Sequence, residues 1–148
     1  MRPFILTLIL ILSSCAPYST SESSIERQIR ERKEKRAKLS PEEQKLDDSL
    51  LEDLKRFEAA IADGALESDA VNEFRYVAKD RRGRIFLTII AEAMEAELPR
   101  LLADLGGEET AYTFPRRHSC LVYPKHLRLL MAKPSISMIQ IASTAQHR

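Results

Sequence analysis

From Ser40 onward, Leu46, Leu50, Leu54, Phe57 and Ile61, with Leu51 alongside, recur in steps of three and four. That spacing predicts one apolar stripe on an amphipathic helix. "SPEEQ" supplies the start. The Ser40 hydroxyl can accept from the backbone N–H of Glu43 while the Glu43 carboxylate reaches back, and Pro41 sits at N1. Asp63-Gly64 ends it. Val71, Phe74, Val77 and Ala78 predict a shorter helix from Ser68 to Lys79, and Arg81-Arg82-Gly83 breaks the chain after it. "RIFLTIIAEAMEAEL" then predicts the central core helix, with Phe86, Ile90, Ala93, Met94 and Leu98 on one face and Ile85, Leu87 and Ile89 widening it. Pro99 either kinks that helix or starts a new one ending at Leu105, before Gly106-Gly107.

The pattern changes on both sides of this stretch. "IERQIRERKEKRAKL" (25–39) has few apolar residues but three favourable i, i+4 pairs, Glu26–Arg30, Glu31–Lys35 and Glu34–Lys38. Each pair supports a helix by about 0.2–0.5 kcal/mol. A solvated spacer helix is the expectation, with attraction of its basic run to anionic lipid headgroups as the second reading. Residues 108–148 give "AYTF" and "CLVY", two short β-like runs, then "PKHLRLLMA", room for one or two helical turns, and the uncharged, loosely alternating "SISMIQIAS". That last window must dock against the rest of the fold or a partner to avoid aggregation. The expected fold is therefore mainly α: a small antiparallel helical bundle over 40–107, after a disordered tether and the charged helix, with an irregular or short-stranded C-terminal tail over 108–148.

Charge adds a boundary of its own. The net charge is +1, so no nucleic-acid partner is expected. All 22 acidic residues lie at or before Glu109, whereas Arg116, Arg117, Lys125, Arg128, Lys133 and Arg148 follow it together with all three histidines. A basic tail of this kind suits an anionic polymer or lipid. The two cysteines, Cys15 and Cys120, form no CxxC, and no HExxH occurs, so neither a metal nor a cofactor is expected.

The first residues are set apart by length. Phe4 to Leu12 is almost wholly apolar, but at ~1.5 Å per residue it covers roughly 14 Å, under half of a ~30 Å hydrocarbon core. It matches the h-region of a secretory signal, with Arg2 and the amino terminus as the positive n-region. Leu12-Ser13-Ser14-Cys15 resembles the lipobox of bacterial lipoproteins, with Leu at −3 and small residues at −2 and −1 before the cysteine. The resemblance implies a signal peptide over 1–14, cleavage after Ser14, and acyl chains such as palmitate on Cys15. Residues 15–24, with the Ser-rich "APYSTSESS", then become a lipid-anchored flexible tether. It also implies a membrane-anchored protein facing the periplasm or cell surface, and Ala16 after Cys15 favours the outer membrane over the inner.

With Cys15 lipidated, Cys120 has no partner in its own chain. It either cross-links two chains into a dimer or sits buried, and the apolar "CLVY" favours burial. Three places carry possible chemistry. His118-Ser119-Cys120 sets an imidazole near a thiol, with His126 or His147 as other candidate bases. Glu67-Ser68 is similar to the Glu-Ser dipeptide of lytic transglycosylases, but that family's downstream Gly- and Gln-containing motifs are absent, which favours reading Ser68 as a helix start. Arg81-Arg82-Gly83-Arg84 is basic but too short for a phosphate loop. The expected function is a non-enzymatic, lipid-anchored envelope protein that binds another envelope component. A small cell-wall hydrolase using Glu67 or Cys120 and a histidine is the first alternative, and an anionic-polymer binder acting through the tail the second.

Overall fold

A computed structural model describes residues 23–92, 97–113 and 116–142. Leu12, Ser13, Ser14 and Cys15 lie outside the described residues, as do Ala93, Met94 and His147. The chain divides into two units, Met1–Glu34 and Lys35–Arg148. Helix α1 (Ser24–Ala37) buries none of its residues, and Ile25 and Ile29 face solvent. Its start is closed by a capping box missed in the sequence. The Ser23 Oγ accepts from the Glu26 N–H at 3.2 Å, and the Glu26 Oε2 accepts from the Ser23 N–H at 2.8 Å.

In the second unit the Ser40–Glu43 box forms as expected, at 3.2 and 3.4 Å. It closes only a short 3-10 turn, Glu43–Lys45. The helix stops there because Leu46 pairs with Ile139 in a parallel bridge, and the Asp47 N–H donates to the Ile139 carbonyl at 3.3 Å. Helix α2 (Asp48–Ala62) starts afresh and buries Leu50, Leu51, Leu54 and Phe57, while Ile61 reaches the surface. Gly64, at φ +92°, lets the chain close the helix: its N–H donates to Ile61 O and that of Ala65 to Ala60 O.

The next two helices expected from the sequence are corrected. The segment from Ser68 to Lys79 holds only the single turn α3 (Glu67–Ala70) and a 3-10 turn, Val71–Glu73. Val71, Phe74 and Val77 are still buried, but on an irregular chain that ends with Lys79 bridged to Ile85. The supposed core helix begins as strand β1 (Ile85–Ala91). Ile85, Thr88, Ile89 and Ile90 are β-branched and favour a pleated surface. Burial follows the strand period: Ile85, Leu87, Ile89 and Ala91 are buried, and the residues between them only partly. Helix α4 (Glu97–Asp104) is separate, with Pro99 in its first turn, where a missing N–H leaves nothing unpaired. Gly106 (φ +70°) and Gly107 end it, their N–H groups donating to Ala103 O at 3.0 Å and Leu102 O at 2.7 Å.

Residues 108–142 supply three strands and a helix: β2 (Glu108–Thr113), β3 (Arg117–Val122), α5 (Leu127–Met131) and β4 (Ile136–Ile141). The sheet order is β2-β3-β1-β4, antiparallel throughout. The mainly α expectation is therefore overturned; the fold is α+β around a four-stranded sheet. The connections β1-α4-β2 and β3-α5-β4 each skip one strand position, which the other unit fills. Two split βαβ units interlock in this way, the arrangement of a ferredoxin-like plait.

Leu87, Ile89, Cys120 and Ile139 share one sheet face by register and join a single core with Leu50 and Leu54 of α2, Leu98 and Leu102 of α4, and Leu127, Leu130 and Met131 of α5. Both register shifts in the sheet are patched by a hydroxyl. Thr110 Oγ1 donates to Ser119 O at 3.0 Å, and Ser137 Oγ donates to Ile90 O at 3.1 Å. Lys45 ties the ends of the unit together, its Nζ donating to Met131 O at 2.8 Å and Lys133 O at 2.7 Å, just at and beyond the end of α5.

Candidate functional site

The strand period brings together what the sequence sets side by side. His118 and Cys120 point to the same inner face of β3, and β2 adds Glu109 opposite Cys120 and Tyr112 opposite His118. Glu109 Oε1 accepts from His118 Nδ1, and the Tyr112 ring lies 4.8 Å from the imidazole. An ionised carboxylate only accepts, so with Glu109 in that form the imidazole is the donor, through Nδ1. His118 is 1% exposed, and its Nε2 is buried without a hydrogen-bond partner among the described residues.

This is a base–carboxylate pair beside a thiol, but the thiol is not activated. Burial, reinforced by the Glu109 charge, pushes Cys120 up to about 12. Its S–H donates to the His118 carbonyl at 3.5 Å. A thiol in that state carries negligible thiolate at neutral pH, the opposite of what a nucleophile needs. Cys120 is also fully buried, so cross-linking two chains through it would require the sheet to open. His126 lies instead in the turn Pro124–His126, its ring edge-on to Tyr123.

Glu67 lies at the first position of α3 in an exposed ion pair with Lys125, 2.9 Å apart. Here the chain forms a groove. One half, with a volume of ≈ 230 Å³, has Leu54, Phe57 and Pro124 as its apolar floor and Glu58, Glu67 and Lys125 among its rim. The adjoining half, ≈ 150 Å³, shares Phe57, Glu67, Pro124 and Lys125 and adds Ser68, Arg82, Gly83 and Tyr123. Lys125 is also 5.7 Å from the Tyr123 ring centre.

The turn carrying Arg82 is built by Asp80. Its Oδ1 accepts from the N–H groups of Arg82 and Arg84, both at 2.9 Å, and its Oδ2 from the Arg84 Nε at 2.7 Å. Gly83 sits at φ +76°. Burial works to raise the Asp80 carboxyl, but the hydrogen bonds from Arg84 and Arg82 and the Arg84 charge hold it below the ordinary carboxylate value. Arg84 itself is buried and also reaches Glu108 at 3.3 Å. The run read as a basic loop thus spends Arg84 on structure and leaves Arg82 at the groove.

Three basic residues of the tail are engaged in the same way. Lys125 pairs with Glu67, Arg128 with Glu58 at 2.7 Å and Glu43 at 3.5 Å, and Arg116 with Glu92 at 3.3 Å. At these three residues the charge boundary in the sequence becomes complementarity across the fold. No sequence signal named Glu109 or Lys125 as partners; reading β3 with period two would have placed His118 and Cys120 on one face. Among the described residues, no group of three His, Cys, Asp or Glu side chains is arranged to hold a metal ion. No family model, curated protein or solved structure matches the chain.

Proposed function

We propose that this chain is a lipid-anchored protein of a bacterial envelope, held through Cys15 and presenting its folded unit as a non-enzymatic binding module. The observation that carries the reading is the order Leu12-Ser13-Ser14-Cys15 directly after a short apolar run with Arg2 before it. Two acyl chains give a stable anchor where one is marginal. The wholly unburied α1 supports a spacer role for the charged segment that follows the tether. Among the described residues no helix is long and apolar enough to cross a membrane. The groove between α2, α3 and the Pro124–His126 turn supports the binding role, and Ala16 favours the outer membrane.

The hydrolase alternative finds less support. Cys120 is held as a buried thiol, and Glu67 is exposed and engaged by Lys125. The polymer-binding alternative finds less support at Arg128, which is held by two carboxylates, Glu58 and Glu43. The test is membrane fractionation of Cys15→Ala beside the wild type. The variant is expected to lose the acylated Cys15 N-terminus, appearing either as a precursor with its signal uncleaved or as a soluble chain cleaved elsewhere. A variant still membrane-bound with the wild-type N-terminus would refute the anchor, and a pull-down of the intact wild type from its own envelope that recovers no stoichiometric component would refute the binding role.

A further inference from the structure

We infer that the groove over Phe57 receives the C-terminal residue of a peptide, its apolar side chain on the floor and its carboxylate beside Lys125 and Arg82. This deepens the binding-module reading and rests on it. The two halves, ≈ 230 and ≈ 150 Å³, together lie at the low end of the ~300–1,000 Å³ of small-molecule sites. The apolar half has room for an aliphatic side chain, and the charged half for the group that follows it. The first half's floor of Leu54, Phe57 and Pro124 is apolar, and the part-exposed Ile61 extends it.

The second half sets the charge. Lys125 and Arg82 both line it, beside Ser68. Among the described residues the Arg82 guanidinium has no hydrogen bond or ion pair, while its backbone N–H is held by Asp80. Lys125 is balanced only by Glu67, and that pair is solvent-exposed on both sides, 46% and 56%, so its strength is small. An incoming carboxylate displaces Glu67 from Lys125 at little cost and gains Arg82 as well. A neutral amide gains neither cation, which is how the site tells a chain end from an internal peptide segment.

The test is a titration of the full chain with N-acetyl-leucine, followed by ¹H–¹⁵N shifts, with N-acetyl-leucinamide and 4-methylpentanoate as comparison probes. N-acetyl-leucine is expected to shift Ser68, Gly83 and Lys125 with millimolar affinity. The amide, which loses both cations, is expected to bind about fivefold more weakly, the combined effect of two partly exposed charge contacts. Lys125→Met and Arg82→Met should each weaken the acid by a smaller factor, about twofold, whereas Glu67→Gln should tighten it. Unchanged shift dispersion elsewhere in each variant confirms folding. Equal binding of acid and amide, no binding of either, or weaker binding in Glu67→Gln would overturn the proposal. Equal or tighter binding of 4-methylpentanoate would assign the groove to simple acids and overturn the peptide end. These titrations do not depend on lipid at Cys15, so their failure is distinguishable from failure of the anchor.

Discussion

Replacing Asp80 by alanine should cost the fold about 3 kcal/mol. The carboxylate accepts three hydrogen bonds at 2.7–2.9 Å, two from backbone N–H groups of the turn and one from the Arg84 guanidinium. Bonds to charged groups contribute ~1.5–3 kcal/mol each, and breaking a buried pair costs ~3–5 kcal/mol because a charge is left stranded. Here Arg84 is 9% exposed and keeps Glu108, while Asp80 is 21% exposed; water and the remaining partner therefore reduce the loss. Asp80→Asn keeps an acceptor for the turn but not the charge, and should cost about 1–2 kcal/mol. Urea unfolding gives the readout: for a slope near ~1.5 kcal/mol/M the alanine variant should lower the midpoint by roughly 2 M at unchanged slope. The sign with pH is fixed by the lowered carboxyl. The folded state binds fewer protons than the unfolded one, so the contribution is present above the unfolded value of about 4 and fades as pH falls through the folded value. The wild-type advantage over Asp80→Asn must shrink in that acid range. An alanine variant within about 0.5 kcal/mol of wild type at pH 7, the range of an ordinary surface substitution, would refute this account of the Arg81–Arg84 turn.

Three further outcomes follow from the geometry. A Cβ at Gly107 would lie 2.7 Å from the Leu121 carbonyl oxygen, so Gly107→Ala should destabilise by about 1–3 kcal/mol in the same urea assay, since backbone must move. Lys45→Met removes both bonds to the end of α5 and should cost about 1–2 kcal/mol, with faster amide exchange at Ala132 and Lys133 as its local mark. The Cys120 thiol, buried and pushed up to about 12, should resist a thiol reagent at pH 8 in the folded protein and react fully in denaturant; rapid native labelling would contradict its placement on the inner sheet face.

Local signals in the sequence translated well where they depend on a few neighbouring residues. The Ser40–Glu43 box, the glycine closures at Gly64 and Gly106, and the apolar stripe of α2 are all present. What failed was the choice of period for "IFLTIIA", because a continuous apolar run satisfies a helix face and a buried strand alike. Its β-branched residues favoured the strand, and pairing with β3 and β4, between partners 27 to 54 residues apart, decided it. The same non-local pairing cut the first helix at Leu46, whose bridge to Ile139 no local pattern announces. The charge boundary near Glu109 was visible, but only the fold turned it into Lys125–Glu67 and Arg128–Glu58. His118 with Glu109, and the groove between Glu67, Arg82 and Lys125, became legible only once the strands had been placed.

The anchor carries the functional reading, and one measurement reaches it most directly: the mass of the N-terminal peptide of the mature protein isolated from a bacterial envelope. The account predicts a chain beginning at Cys15 with a diacylglyceryl group on its sulfur. A mature chain that begins at Met1, or elsewhere, with the Cys15 thiol unmodified would contradict it.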